Sequence, residues 1–171
     1  MKLLEIIKKR YSCRDYQEKA IEPEKLDIIF EAARQAPSAK NLQDWRFVVV
    51  TDERKKRQLA QSTNRPDVFS KAGAIIVACS NNDEIMTCGQ RIAPIDIAIA
   101  LEHIALQATE LGLATCWIGS FKTETVRQTI AIPEKIEIVE LMAIGYPAAG
   151  SRQTTRLPIQ DIICYQTWQL E

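Results

Sequence analysis

Apolar residues recur along this chain with two alternating periods, and the alternation lays out its elements. Leu3, Leu4, Ile6 and Ile7 form a helical stripe that runs into Lys8, Lys9 and Arg10, and the first helix is expected to stop near Tyr11. Pro23 suits a first helical position, and Leu26, Ile29, Phe30 and Ala33 then keep helical spacing until Ala36-Pro37 breaks it. After a polar loop, Trp45 to Thr51 is rich in aromatic and β-branched residues and predicts a strand. Asp52 to about Ser62 is charged, with only Leu59 and Ala60 apolar, and predicts a solvent-exposed helix. Ala74 to Cys79 predicts a second strand.

From Pro94 to Leu111 the apolar positions cover nearly the whole circumference of a helix, and a helix apolar all round must be buried on all sides. One small domain covers one face, so a second subunit is the simplest cover for the other; a helix wholly central to a monomer is the alternative. Gly112 closes that helix as a left-handed cap. Ala114 to Ile118 then predicts a short strand, Thr123 to Ile130 an amphipathic helix, and Ile138 to Ile144 a last core strand ended by Gly145-Tyr146-Pro147. From Ala148 onward no strong period remains. With no internal repeat or linker, the pattern predicts one α+β domain over residues 1–171, a sheet sandwiched by helices.

Composition narrows the function classes. Twenty-two basic residues balance twenty-two acidic ones, so no global field draws the chain to nucleic acid or an anionic membrane, and any anion must be caught locally. Apolar runs such as Ala74 to Cys79 are too short to span a bilayer, and no apolar leader follows Met1, so a cytoplasmic protein is expected. The five cysteines never stand at the spacing of a zinc or redox pair and are expected to be buried or idle thiols. His103, the single histidine, lies inside an apolar helical stretch, where a packed or edge-exposed position is expected rather than a catalytic one. No glycine pattern suits a dinucleotide or phosphate loop, and no ligand cluster suits a metal.

Three segments carry candidate chemistry. Arg10, Ser12 and Arg14 alternate after the first helix, so in an extended segment all three can converge on one anion. On spacing alone the favoured reading is plainer, with Lys8 to Arg10 complementing a helix C-terminus and Arg14 solvated, and spacing names no cofactor. The polar loop Ala36 to Trp45 contains small side chains through which a flat ring can approach, with Asn41 and Gln43 able to bond its polar edge; a plain connector is the alternative. In the third, Cys116-Trp117-Ile118-Gly119 ends a strand on a glycine whose amide can meet a ligand closely.

The order of these segments resembles the nitroreductase family: Arg-x-Ser-x-Arg after the first helix, Ala-Pro-Ser with Asn41, Gln43 and Trp45, Leu-Gly-Leu and Cys-Trp-Ile-Gly, then Ile-Gly-Tyr-Pro and a late Arg-Leu-Pro. The resemblance runs from near Ile6 to about Pro158. It implies a nitroreductase-like fold, a central mainly antiparallel sheet flanked by helices, in a domain-swapped homodimer with FMN at the interface. It further implies that Arg10, Ser12 and Arg156 hold the phosphate and that Arg14 sits at the pyrimidine edge near N1 and O2. The backbone amide of Gly119 would face N5 with Ser120 beside it. Pro37, Ser38 and Asn41 would come from the other subunit, and Tyr11, Ala39, Gln43 and Ile118 complete the implied cofactor-binding set.

The implied activity is reduction of a small acceptor (a nitroaromatic, quinone or enone) by NADH or NADPH through bound FMN in a ping-pong hydride mechanism. Related readings are dehalogenation, flavin breakdown or dehydrogenation on the same fold, and a non-catalytic redox sensor using FMN or Cys13. Three positions depart from the family pattern. Asp44 replaces a usual proline, Thr154 a frequent second basic phosphate ligand, and Gly119 stands where some members carry an acidic residue. A weaker phosphate grip is the expectation.

Overall fold

In a computed structural model, which describes residues 2–150 and 154–169, the expected elements and one short helix that the pattern does not predict, over residues 66–69, form around one sheet. They are α1 (Leu3–Lys9), α2 (Pro23–Arg34), β1 (Trp45–Val50), α3 (Glu53–Gln61), α4 (Pro66–Phe69), β2 (Ala74–Ser80), α5 (Ile92–Glu110), β3 (Ala114–Ile118), α6 (Thr123–Ile130) and β4 (Glu137–Gly145). Strand order is β1-β2-β4-β3, and every neighbouring pair is antiparallel.

The period of two along β2 builds the layers. Ile75, Val77 and Cys79 face a core shared with α3, α4 and α6, where Leu59, Phe69, Val126 and Leu141 pack. Ala74, Ile76 and Ala78 face the opposite core with Ile29 of α2 and Ile97, Leu101 and Ile104 of α5. Each such fully buried aliphatic side chain stabilises the fold by about 1.5–3 kcal/mol. β2 lies between β1 and β4, covered on both faces, which explains its continuous apolar sequence.

Residues 11–16 run beside the free edge of β3. Ser12 bridges Thr115 in parallel, and the Cys13 amide donates to the Thr115 carbonyl at 2.8 Å. Tyr16 pairs with Pro147, so the N-terminal segment is held against the chain that leaves β4. Gly145 makes this possible, because a Cβ there would stand 2.7 Å from the Gly73 amide nitrogen and 3.1 Å from the Tyr16 ring.

Two helices differ from expectation. α3 is not fully solvent-exposed: Lys56, Leu59 and Ala60 share one buried face at i, i+3, i+4. The Lys56 stem lies inside while its ammonium donates to the Ala72 carbonyl at 2.6 Å and meets Glu53 at 2.7 Å, so a charged letter hides a packed position. α5 begins at Ile92, before Pro94, which falls in the first turn where a missing amide hydrogen costs nothing. By length and composition α5 is apolar enough to cross a bilayer, but more than half of that stretch is buried inside the fold.

The buried side of α5 faces the sheet and α2, where His103 Nδ1 meets the Ala32 carbonyl at 3.1 Å. The other side carries Ile95, Ile99, Glu102 and Leu106 at helical spacing, and none of these is buried within the single chain. Leu3, Leu4 and Ile7 of α1 are also exposed, as are Leu157, Ile159, Ile162, Tyr165 and Trp168 of the C-terminal segment.

Candidate functional site

Beyond the edge of β3 a cavity of about 660 Å³ opens between residues 10–15 and the segment that follows β4. It lies within the roughly 300–1,000 Å³ usual for small-molecule sites. Arg10, Arg14, Arg65 and Arg156 line it together with Tyr11, Ser12 and Thr154, and among the described residues Asp15 is the single carboxylate in its wall. Among the described residues, four guanidiniums against one carboxylate make an anion trap in a chain without net charge.

Local structure aims these groups. α1 ends at Lys9, and Arg10 turns extended (φ −61°, ψ 134°), which starts the alternation. The Arg10 Nε lies 3.7 Å from Glu102 of α5 yet is buried without a hydrogen-bond partner, so the guanidinium retains unused donor capacity. Burial raises the pKa of Glu102, and the nearby Arg10 opposes that shift. Tyr11 donates to the Ala149 carbonyl at 3.2 Å and ties the two walls together; burial, followed by Cys13, pushes its phenol up to about 12. Arg156 donates to the Thr154 hydroxyl at 2.6 Å and to the Thr155 carbonyl at 3.0 Å. This set of fixed cations and hydroxyls fits a phosphate-bearing ligand.

A second zone lies at the C-terminal end of β3. Ile118 turns its side chain into the core and offers a ligand only its main chain, whereas Gly119 and Ser120 are exposed. The Lys122 amide donates to the Ser62 carbonyl at 2.8 Å, and Thr63 bridges Phe121, which draws the α3–α4 connection alongside. Asn64 thereby donates to Ser120 Oγ at 2.8 Å. Neighbouring Arg65 reaches the cavity and supplies a cation that the sequence reading did not include.

The third zone is the loop after α2. Pro37, Ser38, Ala39, Asn41 and Gln43 do not line the arginine cavity of their own chain; they lie toward the α5 side of the sheet. The Ala39 amide donates to Asp96 of α5 at 3.0 Å, and the Gln43 amide to Ser38 Oγ at 3.0 Å. Lys40, Asn41 and Gln43 all take positive φ (53°, 57° and 51°), a costly conformation for Lys and Gln that Asn tolerates better. Lys40 also pairs with Glu84. Asp44 has both carboxylate oxygens buried without a partner, and burial, with Asp44 nearby, raises the pKa of Asp96.

Asn64, Arg65 and Asp96 were absent from the sequence-based set because tertiary packing alone brings them in; their local spacing carries no signal. Cys13 is 2% exposed and lies 3.1 Å from the Asp15 carbonyl, so its thiol is packed away. All five cysteines are free, and no group of three metal-ligating side chains forms among the described residues.

The fold has counterparts among known proteins. A family profile described as "Putative TM nitroreductase" matches residues 2–170. An Archaeoglobus fulgidus protein named "Putative NADH dehydrogenase/NAD(P)H nitroreductase" is 31% identical, the match covering 84% of each chain. A nitroreductase family protein from Clostridium novyi NT superposes with a TM-score of 0.82 at 35% identity over 86% of each chain. A protein from Clostridium difficile R20291 titled "FMN-dependent Nitroreductase" gives a TM-score of 0.84 at 29% identity, over 96% of this chain and 99% of its own. With the order of its motifs, its antiparallel sheet and its arginine-lined cavity, this chain belongs to the nitroreductase family.

Proposed function

We propose that this protein is an FMN-dependent oxidoreductase in which NADH or NADPH and a small acceptor, such as a nitroaromatic, quinone or enone, react in turn at the same site. The observation that carries the reading is the cavity where Arg10, Ser12, Arg14 and Arg156 meet beside β3. The names of relatives support it: "FMN reductase (NADPH)" from Bacillus subtilis is 23% identical over 98% of this chain.

Bound FMN supplies the hydride chemistry, and the protein positions it, adjusts its charge and keeps one face open. Arg10, Ser12 and Arg156 hold the phosphate. Arg14 places positive charge at the pyrimidine edge, which favours the reduced anionic ring. The Gly119 amide orients the ring at N5 with Ser120 beside it, while Tyr11 and the main chain of Ile118 close the wall. No protein nucleophile is needed, consistent with a chain whose one histidine is packed between α5 and α2.

Two chains complete each site in this reading. Pro37, Ser38, Ala39, Asn41 and Gln43 of one protomer line the ring bound by its partner. The outer stripe of α5 and the exposed apolar residues of α1 and the C-terminal segment form the surfaces that a second subunit covers. Purified protein reconstituted with FMN should turn yellow, sediment as a dimer and oxidise NAD(P)H when given a quinone or nitroaromatic. Colourless protein that leaves NAD(P)H untouched overturns the reading.

A further inference from the structure

The space beside Gly119 holds a carboxyl group. A Cβ on Gly119 would stand 3.6 Å from Oε2 and 3.8 Å from Oε1 of Glu140. Register explains the approach: Ile118 pairs with Leu141 at the last rung of the β3–β4 ladder, so Glu140 falls level with the residue just past the end of β3. On its other side Glu140 pairs with Ala78 of β2, which brings no charge.

The carboxyl is neither free in solvent nor tied into an ion pair among the described residues. Glu140 is half-buried, and the Leu141 amide donates to its Oε1 at 3.1 Å. Burial raises its pKa, while hydrogen bonds from the Leu141 and Ile118 amides pull the other way. The groups that face it are thus uncharged on every adjoining strand: Ala78 on β2, the Leu141 amide on β4, and Ile118 and Gly119 at the end of β3. Ser120 and Asn64, next along the same rim, are neutral as well.

We propose that Glu140 is the proton donor to the electron acceptor. The assignment rests on the reading above in which the Gly119 amide faces the reacting edge of FMN. Two-electron reduction of a quinone to a hydroquinone takes up one hydride equivalent and one proton. Glu140 would give its carboxyl proton to the acceptor oxygen, directly or through one water, as the acceptor takes the hydride equivalent that bound reduced flavin would supply; the side chain would become a carboxylate and regain a proton from solvent. Reduction of the cofactor by NAD(P)H delivers a hydride alone and does not need this proton. Glu140 therefore acts in one half of the cycle only.

The test separates the halves in FMN-loaded protein. By anaerobic stopped-flow, Glu140→Gln should keep its FMN affinity and its rate of reduction by NAD(P)H within about twofold. Its reoxidation by a benzoquinone should slow by at least about tenfold, the lower side of what a positioned general acid contributes. Glu140→Asp should recover part of that rate. Independently of turnover, ¹³C NMR of wild-type protein labelled at glutamate side chains should show the Glu140 carboxyl titrating above the ordinary range, and higher still once FMN covers it. Reoxidation equally fast in the glutamine variant, or a titration that FMN does not move, overturns the proposal. Protein that takes up no FMN instead overturns the functional reading beneath it.

Discussion

The arginine cavity and the loop after α2 carry the two halves of the candidate site, and they are built by opposite means. The cavity uses long charged side chains on an extended segment, held to β3 by backbone bonds and closed by Tyr11 and Arg156. The loop takes its shape mainly from three residues at positive φ and from short-range acceptors, Asp96 of α5 and Ser38 Oγ, with one ion pair from Lys40 to Glu84. The cavity is suited to gripping an anion wherever the side chains can reach. The loop is suited to presenting a fixed flat edge, and it presents that edge away from its own chain's cavity. The contrast teaches that the two segments stay apart within one chain, as the proposed two-chain site requires.

The largest effect should come from preventing two chains from meeting. Ile99→Glu places a charge on the outer stripe of α5 and should weaken the dimer by several kcal/mol. Sedimentation equilibrium should then show monomers, and FMN affinity should fall by roughly 100-fold or more, about 2.8 kcal/mol. Wild-type FMN affinity in a monomeric variant would break the division of the site.

Next comes the cavity alone. Arg10→Ala removes a charge-assisted donor, and isothermal titration should show FMN binding weakened by about 1.5–3 kcal/mol with the dimer intact. Unchanged affinity would remove the phosphate assignment.

Asp96→Asn probes the loop through pH. Burial raises the Asp96 pKa in the folded state, so its protonated form is the better fit, and its contribution to stability fades as pH climbs through that raised value. Asparagine keeps an acceptor for the Ala39 amide and carries no charge. The variant should therefore melt higher than wild type at neutral pH, with the gain shrinking as pH falls toward the ordinary aspartate range. A constant difference across pH would place the effect elsewhere.

The smallest change should follow Lys40→Gly, which relieves a left-handed lysine at the cost of a more flexible unfolded chain and the Glu84 pair. Denaturant unfolding should show a net gain of about 0.5 kcal/mol. A clear loss would mean that the Glu84 pair, rather than the backbone, holds the loop.

The strands and long helices were legible because period and turn chemistry agreed at each of them; Gly112, at φ 78°, is the left-handed cap that its position predicted. The Arg10-Ser12-Arg14 alternation was legible for the same reason, since an extended segment needs only a period of two. Arg65, Asn64 and Glu140 were not, because each reaches the site from a distant segment. Lys56 shows the converse, a charged residue that the pattern assigned to solvent and the fold buries.

The uncovered stripe on α5 has a consequence for handling the molecule. When a site is shared between protomers, retention of the prosthetic group becomes a matter of mass action among the chains themselves. Dilution should then bleach the protein before it unfolds it, and added FMN should drive dissociated chains back together. Apparent cofactor affinity would be a property of the concentration of the preparation as much as of any residue within it.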